Sequence, residues 1–381
     1  MDFDLSAEQV LFQKMIRSFV VNEVEPRAAE WDQTEEFPYD TIKKMAEIEL
    51  FGVPFPQEYG GNGDELAFTL ATEEISRGSA GLGVVYLVSS GLAINPVLFF
   101  GTEAQKKRYA DQVVQGAVGA FGLTEAAAGS DVAALETTYV QEGAHYILDG
   151  VKIFISNGAE ADFVTTFATR DKSLGHRGIS AFVVEKGTEG FSVGKVEKKM
   201  GLHPASAAEL VFSDCRIPAE NMIGNEGEGF KVALKAIDAS RVSIAAQAVG
   251  IAQAAFDAAT EYALQRKQFG KELARLQAIQ WMIADMATDI DAARLLTHRA
   301  GWLIHQKKVS CTVKMSPGCT WYSRPTFCSL RSGSLSAITS TCLRLARSVK
   351  PPARATAVRR VRPGWKSTPQ KLFTSPYTKK G

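Results

Sequence analysis

The acidic residues of this chain stop at Asp291. From Lys308 to Gly381 there are 15 Lys or Arg and no Asp or Glu, in a chain whose formal charge is only +1. The first 307 residues therefore carry a net −14. The last 74 residues also hold seven of the 14 Pro and four of the five Cys, with no helical or strand period. A like-charged, Pro-rich segment cannot bury a continuous apolar face. The core must be built within 1–307, and 308–381 is expected to be a basic, atypical tail, frame-shifted or disordered.

The first 307 residues suffice for two or three domains. Apolar residues at 45% and charged residues at 22% exclude a disordered, collagen-like or disulfide-stapled protein. Cys215 is the only Cys before the tail, which points to a reducing compartment. Met1-Asp2-Phe3-Asp4-Leu5 is acidic and lacks a secretory pattern, so a cytoplasmic, bacterial-type location is expected. Leu82 to Gly101 is apolar enough to raise the question of a membrane span. Ser89, Ser90, Asn95 and Pro96 within it predict a buried helix, and no transmembrane segment is expected. The tail would attract phosphates without discrimination, so no specific nucleic-acid partner is implied.

Three textures follow one another. Residues 1–118 read as a helical domain, with Val10, Leu11, Met15, Ile16, Phe19 and Val20 spaced by three and four. Thr102 with Gln105 makes a capping-box start for a helix through Val114. Residues 119–227 carry short β-branched and aromatic runs at 140–147, 151–155, 163–168, 179–185 and 209–212, which predict an antiparallel β domain. From 228 to 307 the helical period returns. One long helix is expected over 230–265, interrupted only at Gly250, and a second over 276–306. Two long helices need partners to close a bundle. The fold class is α+β, mostly α.

Three segments carry chemistry. In Phe121-Gly-Leu-Thr-Glu-Ala-Ala-Ala-Gly-Ser130, small residues follow a short strand, so the backbone can approach a flat or phosphorylated ligand. Thr124 and Ser130 can hydrogen-bond it, and free amides around Gly129 can meet a phosphate. The same residues would equally make a plain turn packed under a helix. In Lys152-Ile-Phe-Ile-Ser-Asn-Gly158, Phe154 could cover an aromatic ring while Ser156 bonds its edge; a core Phe on a strand is the other reading. Arg266-Lys-Gln-Phe-Gly-Lys271, followed by Gln277, is either a phosphate clamp or a solvated turn.

With Gly224-Asn-Glu-Gly-Glu-Gly-Phe230, Arg241-Val-Ser-Ile-Ala-Ala-Gln-Ala-Val-Gly250 and Leu276-Gln-Ala-Ile279, these segments make residues 1–307 resemble the acyl-CoA dehydrogenase family, in order and in spacing. The resemblance implies a helical N-domain, a β middle domain and a C-terminal helical bundle, assembled as a homotetramer. It implies FAD lined by Phe121, Leu123, Thr124, Gly129, Ser130, Phe154, Ile155 and Ser156. Arg266, Phe269 and Gln277 would reach the FAD of a neighbouring subunit. Ser130, Asp238 and Arg241 would meet the acyl-CoA. The implied reaction removes two hydrogens from Cα–Cβ of a thioester, and the implied partner is an electron-transfer flavoprotein.

The family's carboxylate base is not identifiable. It usually lies near the C-terminus, where this chain has no Asp or Glu, or just before the residue matching Arg241, which here is Ser240. A frame-shifted tail explains the loss. A catalytically inactive flavin- or CoA-binding scaffold with a divergent tail is the alternative. Gly83 to Ile94, expected to line the acyl pocket, offers Tyr86, Val88, Ser89 and Ser90 and no Arg. That favours a short, branched or cyclic acyl group over a dicarboxylic one. His298 and His305, seven apart, read as a surface pair; the Cys of the tail lack zinc spacing.

Overall fold

The computed structural model describes residues 4–306; the expectations for 308–381, including its Cys, lie outside them. Seven helices come first: α1 (Ala7–Phe19), α2 (Glu25–Thr34), α3 (Tyr39–Glu47), α4 (Glu65–Gly78), α5 (Ala80–Leu87), α6 (Asn95–Phe100) and α7 (Glu103–Val114). The α7 start is the capping box read from sequence: Gln105 N–H donates to Thr102 Oγ1, and Thr102 N–H donates to Gln105 Oε1. Central α4 starts at Asp64, whose carboxylate accepts from the amides of Leu66 and Ala67. Every α4 residue from Leu66 to Ser76 is buried. α5 passes into α6 through a π-helical turn, Val88–Ala93. By length and composition alone Ala80–Phe100 could cross a membrane, and so could Gly229–Gln265; most of the first is packed inside the molecule.

The sheet comprises β1 (Gly119–Gly122), β2 (Thr138–Glu142), β3 (His145–Ser156), β4 (Phe163–Thr169), β5 (Ile179–Glu185), β6 (Phe191–Val196), β7 (Ala207–Pro218) and β8 (Met222–Ile223). The order is β6-β7-β3-β2-β4-β5-β8, with β1 beside β4. The expected antiparallel pairing dominates, but β1 runs parallel to β4, and β2 meets β4 in parallel at Thr138 and Thr169. The expected strand over 140–147 is two strands, because Gly143 turns the chain at a φ of 60°. Ile147 then belongs to β3, which continues through the second expected run to Ser156. β6 escaped the reading because it is an exposed edge strand with little apolar alternation.

The single helix expected over 230–265 is broken, and not at Gly250. It divides into α8 (Gly229–Ala239) and α9 (Arg241–Gln265) at Ser240, whose hydroxyl caps α8 by donating to the Ile237 carbonyl at 3.0 Å. Gly250 lies inside α9 where α9 crosses α4. A Cβ there would sit 2.2 Å from the Glu73 carbonyl oxygen, so glycine serves close approach, not a break. The basic segment forms a hairpin, β9 (Lys267–Gln268) and β10 (Lys271–Glu272), and α10 (Gln277–His305) returns along α9. The α10 face toward the molecule buries Met286, Ile290, Ala293, Thr297 and Gly301, while Met282 is exposed.

The histidines do not act as a pair: His298 is half-buried, His305 is exposed, and each faces its own carboxylate. His298 Nε2 lies 2.9 Å from buried Glu73, which also accepts from Arg294 Nε at 2.8 Å. His305 lies 3.5 Å from Asp64. Each links α10 to a different carboxylate, Glu73 within α4 and Asp64 at its N-cap; for buried Glu73 the Arg294 guanidinium offsets the desolvation.

Candidate functional site

β1 ends at Gly122 and releases Leu123 and Thr124 beside the bulge in β3. There Ile153 N–H donates to the Thr124 carbonyl at 2.9 Å, so the two strand ends are joined. The β3–β7 register shifts between Lys152 and Ile155, and within the bulge Phe154 takes a φ of 58°. A bulky residue in the left-handed region is strained, and such strain concentrates at functional sites. The Phe154 ring is 61% exposed, so it is not the core residue that the alternative reading required.

These segments converge on a cavity of about 250 Å³. Phe121, Leu123, Thr124, Phe154, Ile155 and Ser156 form one side of it. Val88 and Leu92 of the π turn and Ile237 of α8 close the other. The π turn is pinned to the sheet: Thr165 Oγ1 donates to the Ala93 carbonyl at 2.7 Å, and Gly119 N–H donates to Ser89 Oγ at 3.2 Å. Of the four residues expected to line the pocket from this segment, only Val88 does. Tyr86 is buried and donates to the Leu50 carbonyl, Ser89 is taken by β1, and Ser90 is buried outside the lining.

The other predicted residues lie apart from this cavity. Gly129 and Ser130 are exposed on the loop after Thr124, and a Cβ at Gly129 would meet nothing within 4 Å. Asp238 and Arg241 flank Ser240, next to Ile237; neither makes an ion pair with a described residue. Arg266, Phe269 and Gln277 gather around the β9–β10 hairpin, all exposed. Phe269 and Gly270 have φ of 55° and 75°, both positive as in a tight two-residue turn, which presents the Phe269 ring 91% exposed.

Behind the strand ends lies a pair that the motif reading passed over. Glu125, 5% exposed, accepts from Lys152 Nζ, which is wholly buried. Glu125 also accepts from the backbone amides of Glu136 and Thr137. Burial pushes the Glu125 carboxyl up, but Lys152, Thr137 and the Glu136 amide bring it below the usual carboxylate value. Burial drives Lys152 down to about 8 against the pull of Glu125. The sequence carries a signal for this pair: opposite charges sit within two otherwise uncharged motifs. Glu125 is committed to this pair, and among the described residues no carboxylate lines the cavity.

Family models for the acyl-CoA dehydrogenase N-terminal, middle and C-terminal domains match residues 6–117, 120–215 and 227–324. With the strand-end cavity, whose apolar walls and two hydroxyls suit the edge of a flat aromatic ring, they define a flavin-dependent oxidoreductase. A short-chain specific acyl-CoA dehydrogenase of Clostridium acetobutylicum is 48% identical over 305 residues, 80% of each chain. The butyryl-CoA dehydrogenase structure from Megasphaera elsdenii superposes with a TM-score of 0.82 at 37% identity, covering 91% of this chain and 90% of that one. A structure described under the electron transferring flavoprotein of Acidaminococcus fermentans superposes with a TM-score of 0.82 at 41% identity, covering 91% and 90%. The chain belongs to the acyl-CoA dehydrogenase family, and its cofactor is FAD.

Proposed function

We propose that this chain binds FAD with its ring in the strand-end cavity and dehydrogenates a short acyl-CoA thioester at Cα–Cβ. The observation that carries the reading is the convergence of two separate motifs on one cavity, with Phe154 held in a strained conformation at its mouth. Bound FAD supplies the acceptor for the hydrogen leaving Cβ. The chain's own residues bind and orient. Thr124 and Ser156 hydrogen-bond the ring edge, while Phe121, Leu123, Phe154 and Ile155 pack against it. Val88, Leu92 and Ile237 keep water from the reacting carbons. Gly129 lets the backbone approach the phosphates, and Ser130 faces both ligands. Asp238 and Arg241, neither in an ion pair with a described residue, receive the CoA moiety. The short-chain relatives and the small, uncharged lining support a short acyl group; a branched or cyclic one belongs to the same proposal.

Arg266, Phe269 and Gln277 reach the FAD of another subunit in a homotetramer. Their exposure, and the exposed apolar Leu264, Trp281, Met282 and Leu296 on α9 and α10, support an assembly built on this helix pair. Electrons leave to an electron-transferring flavoprotein, as the similarity to the structure described under that protein supports, and the enzyme works in the cytoplasm. The α proton has no carboxylate acceptor among the residues lining the cavity, and Ser240 is a helix cap. That observation favours one second reading, a flavin- and CoA-binding scaffold without turnover. Anaerobic titration of the FAD-loaded protein with butyryl-CoA separates them. Bleaching of the flavin band supports the dehydrogenase; CoA binding without bleaching supports the scaffold; no FAD uptake refutes both.

A further inference from the structure

The Glu125–Lys152 pair lies where both flavin-facing strand ends can be held by side chains, beside the backbone bond from Ile153 to Thr124. Glu125 directly follows Thr124, and Lys152 stands at the near edge of the bulge that carries Phe154. The bulge interrupts the β3–β7 ladder from Lys152 to Ile155, so the strained turn of Phe154 lacks regular ladder support there. The carboxylate of Glu125 meets Lys152 and the amides of Glu136 and Thr137, joining three chain segments at one buried point. The Glu125 backbone closes a further tight turn with Ala128, through N–H to carbonyl contacts of 3.1 and 3.2 Å, just before Gly129 and Ser130.

Removing two charges from water costs about as much as their attraction returns, so such a pair adds little net stability. What it adds is a fixed geometry, because each partner left alone would be a buried uncompensated charge. The lowered affinity of Lys152 for its proton, set by burial, agrees with a site closed to water. The pair is neutral as a whole, so its action on a bound ring is through position rather than field.

We infer that Glu125 and Lys152 are positioning residues for the flavin, a buried ionic clamp that sets the spacing of Thr124 and Ser156 and holds the Phe154 bulge before FAD arrives. This rests on the flavin site proposed above. The test compares the full-length protein with Lys152→Met and with the double variant Glu125→Gln/Lys152→Met, measuring Tm without FAD, FAD affinity by flavin fluorescence, and flavin circular dichroism. Lys152→Met strands a buried carboxylate and should lower Tm. The double variant removes that stranded charge and should recover Tm, yet bind FAD at least tenfold more weakly and with an altered flavin dichroism band. Wild-type affinity and dichroism in a double variant of wild-type Tm would overturn the clamp. Hydrogen exchange of the wild-type protein without FAD decides the case if the variants do not fold. Protected amides at Glu136, Thr137 and Ile153 support a preset clamp, and exchange at unprotected rates overturns it. Failure of wild-type protein to bind FAD would instead defeat the site reading itself.

Discussion

Replacing Phe154 by glycine separates strain from function. The left-handed conformation costs an L-residue about 1–2 kcal/mol, and glycine removes that cost. Glycine in turn adds about 0.5–1 kcal/mol of unfolded-state entropy. The ring is 61% exposed, so truncation forfeits only the buried minority of the roughly 1.5–3 kcal/mol that a fully buried Phe gains, about 1 kcal/mol. These contributions nearly cancel, and the FAD-free protein should keep its stability to within about 1 kcal/mol. A core Phe cut back to a small residue would lose about 3–5 kcal/mol. The bound form should behave differently. An aromatic face on a ring contributes about 0.5–1.5 kcal/mol, so FAD affinity should fall by about twofold to somewhat over tenfold. Denaturant unfolding without FAD gives the first quantity, and fluorescence titration of FAD the second. A stability loss above about 2 kcal/mol, or unchanged FAD affinity, would refute the reasoning.

Changing Thr124 and Ser156 together to Val should lower flavin occupancy or shift the flavin absorbance, read on the purified protein; an unchanged spectrum at full occupancy counts against their hydroxyls. Arg266→Ala removes a charge-assisted contact worth about 1.5–3 kcal/mol and should weaken FAD binding and assembly together. Sedimentation that finds a monomer holding FAD stoichiometrically would contradict it. Gly250→Ala should destabilise by about 1–2 kcal/mol despite alanine's better helix propensity, because a Cβ 2.2 Å from a backbone oxygen forces α9 off α4; Gly201→Ala, with nothing within 4 Å, is the control. Burial pushes the Glu73 carboxyl up, but His298 and Arg294 hold it below its usual value. Its ionised form therefore stabilises the fold above the ordinary Glu range, and that contribution is lost as pH falls through the lowered value. Glu73→Gln should flatten the acid side of a Tm-against-pH profile.

Much of this was legible because it is local. The Thr102–Gln105 cap needs only a spacing of three, and the strand-end motifs declared themselves by small residues and hydroxyls at β-run ends. What the sequence did not disclose depends on contacts between distant segments. Gly250 looks the same in a list of residues whether it breaks a helix or admits Glu73 of α4. Ser240 breaks the long helix without a Gly or Pro, so no local signal marks it. The cavity wall from Val88, Leu92 and Ile237 is three ordinary aliphatic residues until the π turn is folded against β1 and α8 against the π turn. Tyr86 and Ser89 were assigned to the pocket because their segment faces it, but their hydroxyls are claimed by the Leu50 carbonyl and the Gly119 amide.

The π turn between α5 and α6 also sets how this chain can vary in length. An α-helix turns by about 100° per residue, and a π turn accommodates one residue more than the regular spiral. Deleting one residue from Val88–Ala93 would let the spiral close into regular α-helix with the segments on either side in nearly the same phase, because the wide turn absorbs its extra residue locally. What would be lost is the wide turn itself, which frees the Ala93 carbonyl for Thr165 and brings Leu92 to the cavity wall. A deletion in the exposed turn at Gly143 would shorten a hairpin and little else. Related chains can therefore lose a residue at that hairpin with little effect, whereas a residue lost from the π turn would leave α5 and α6 in line and change the cavity wall between them.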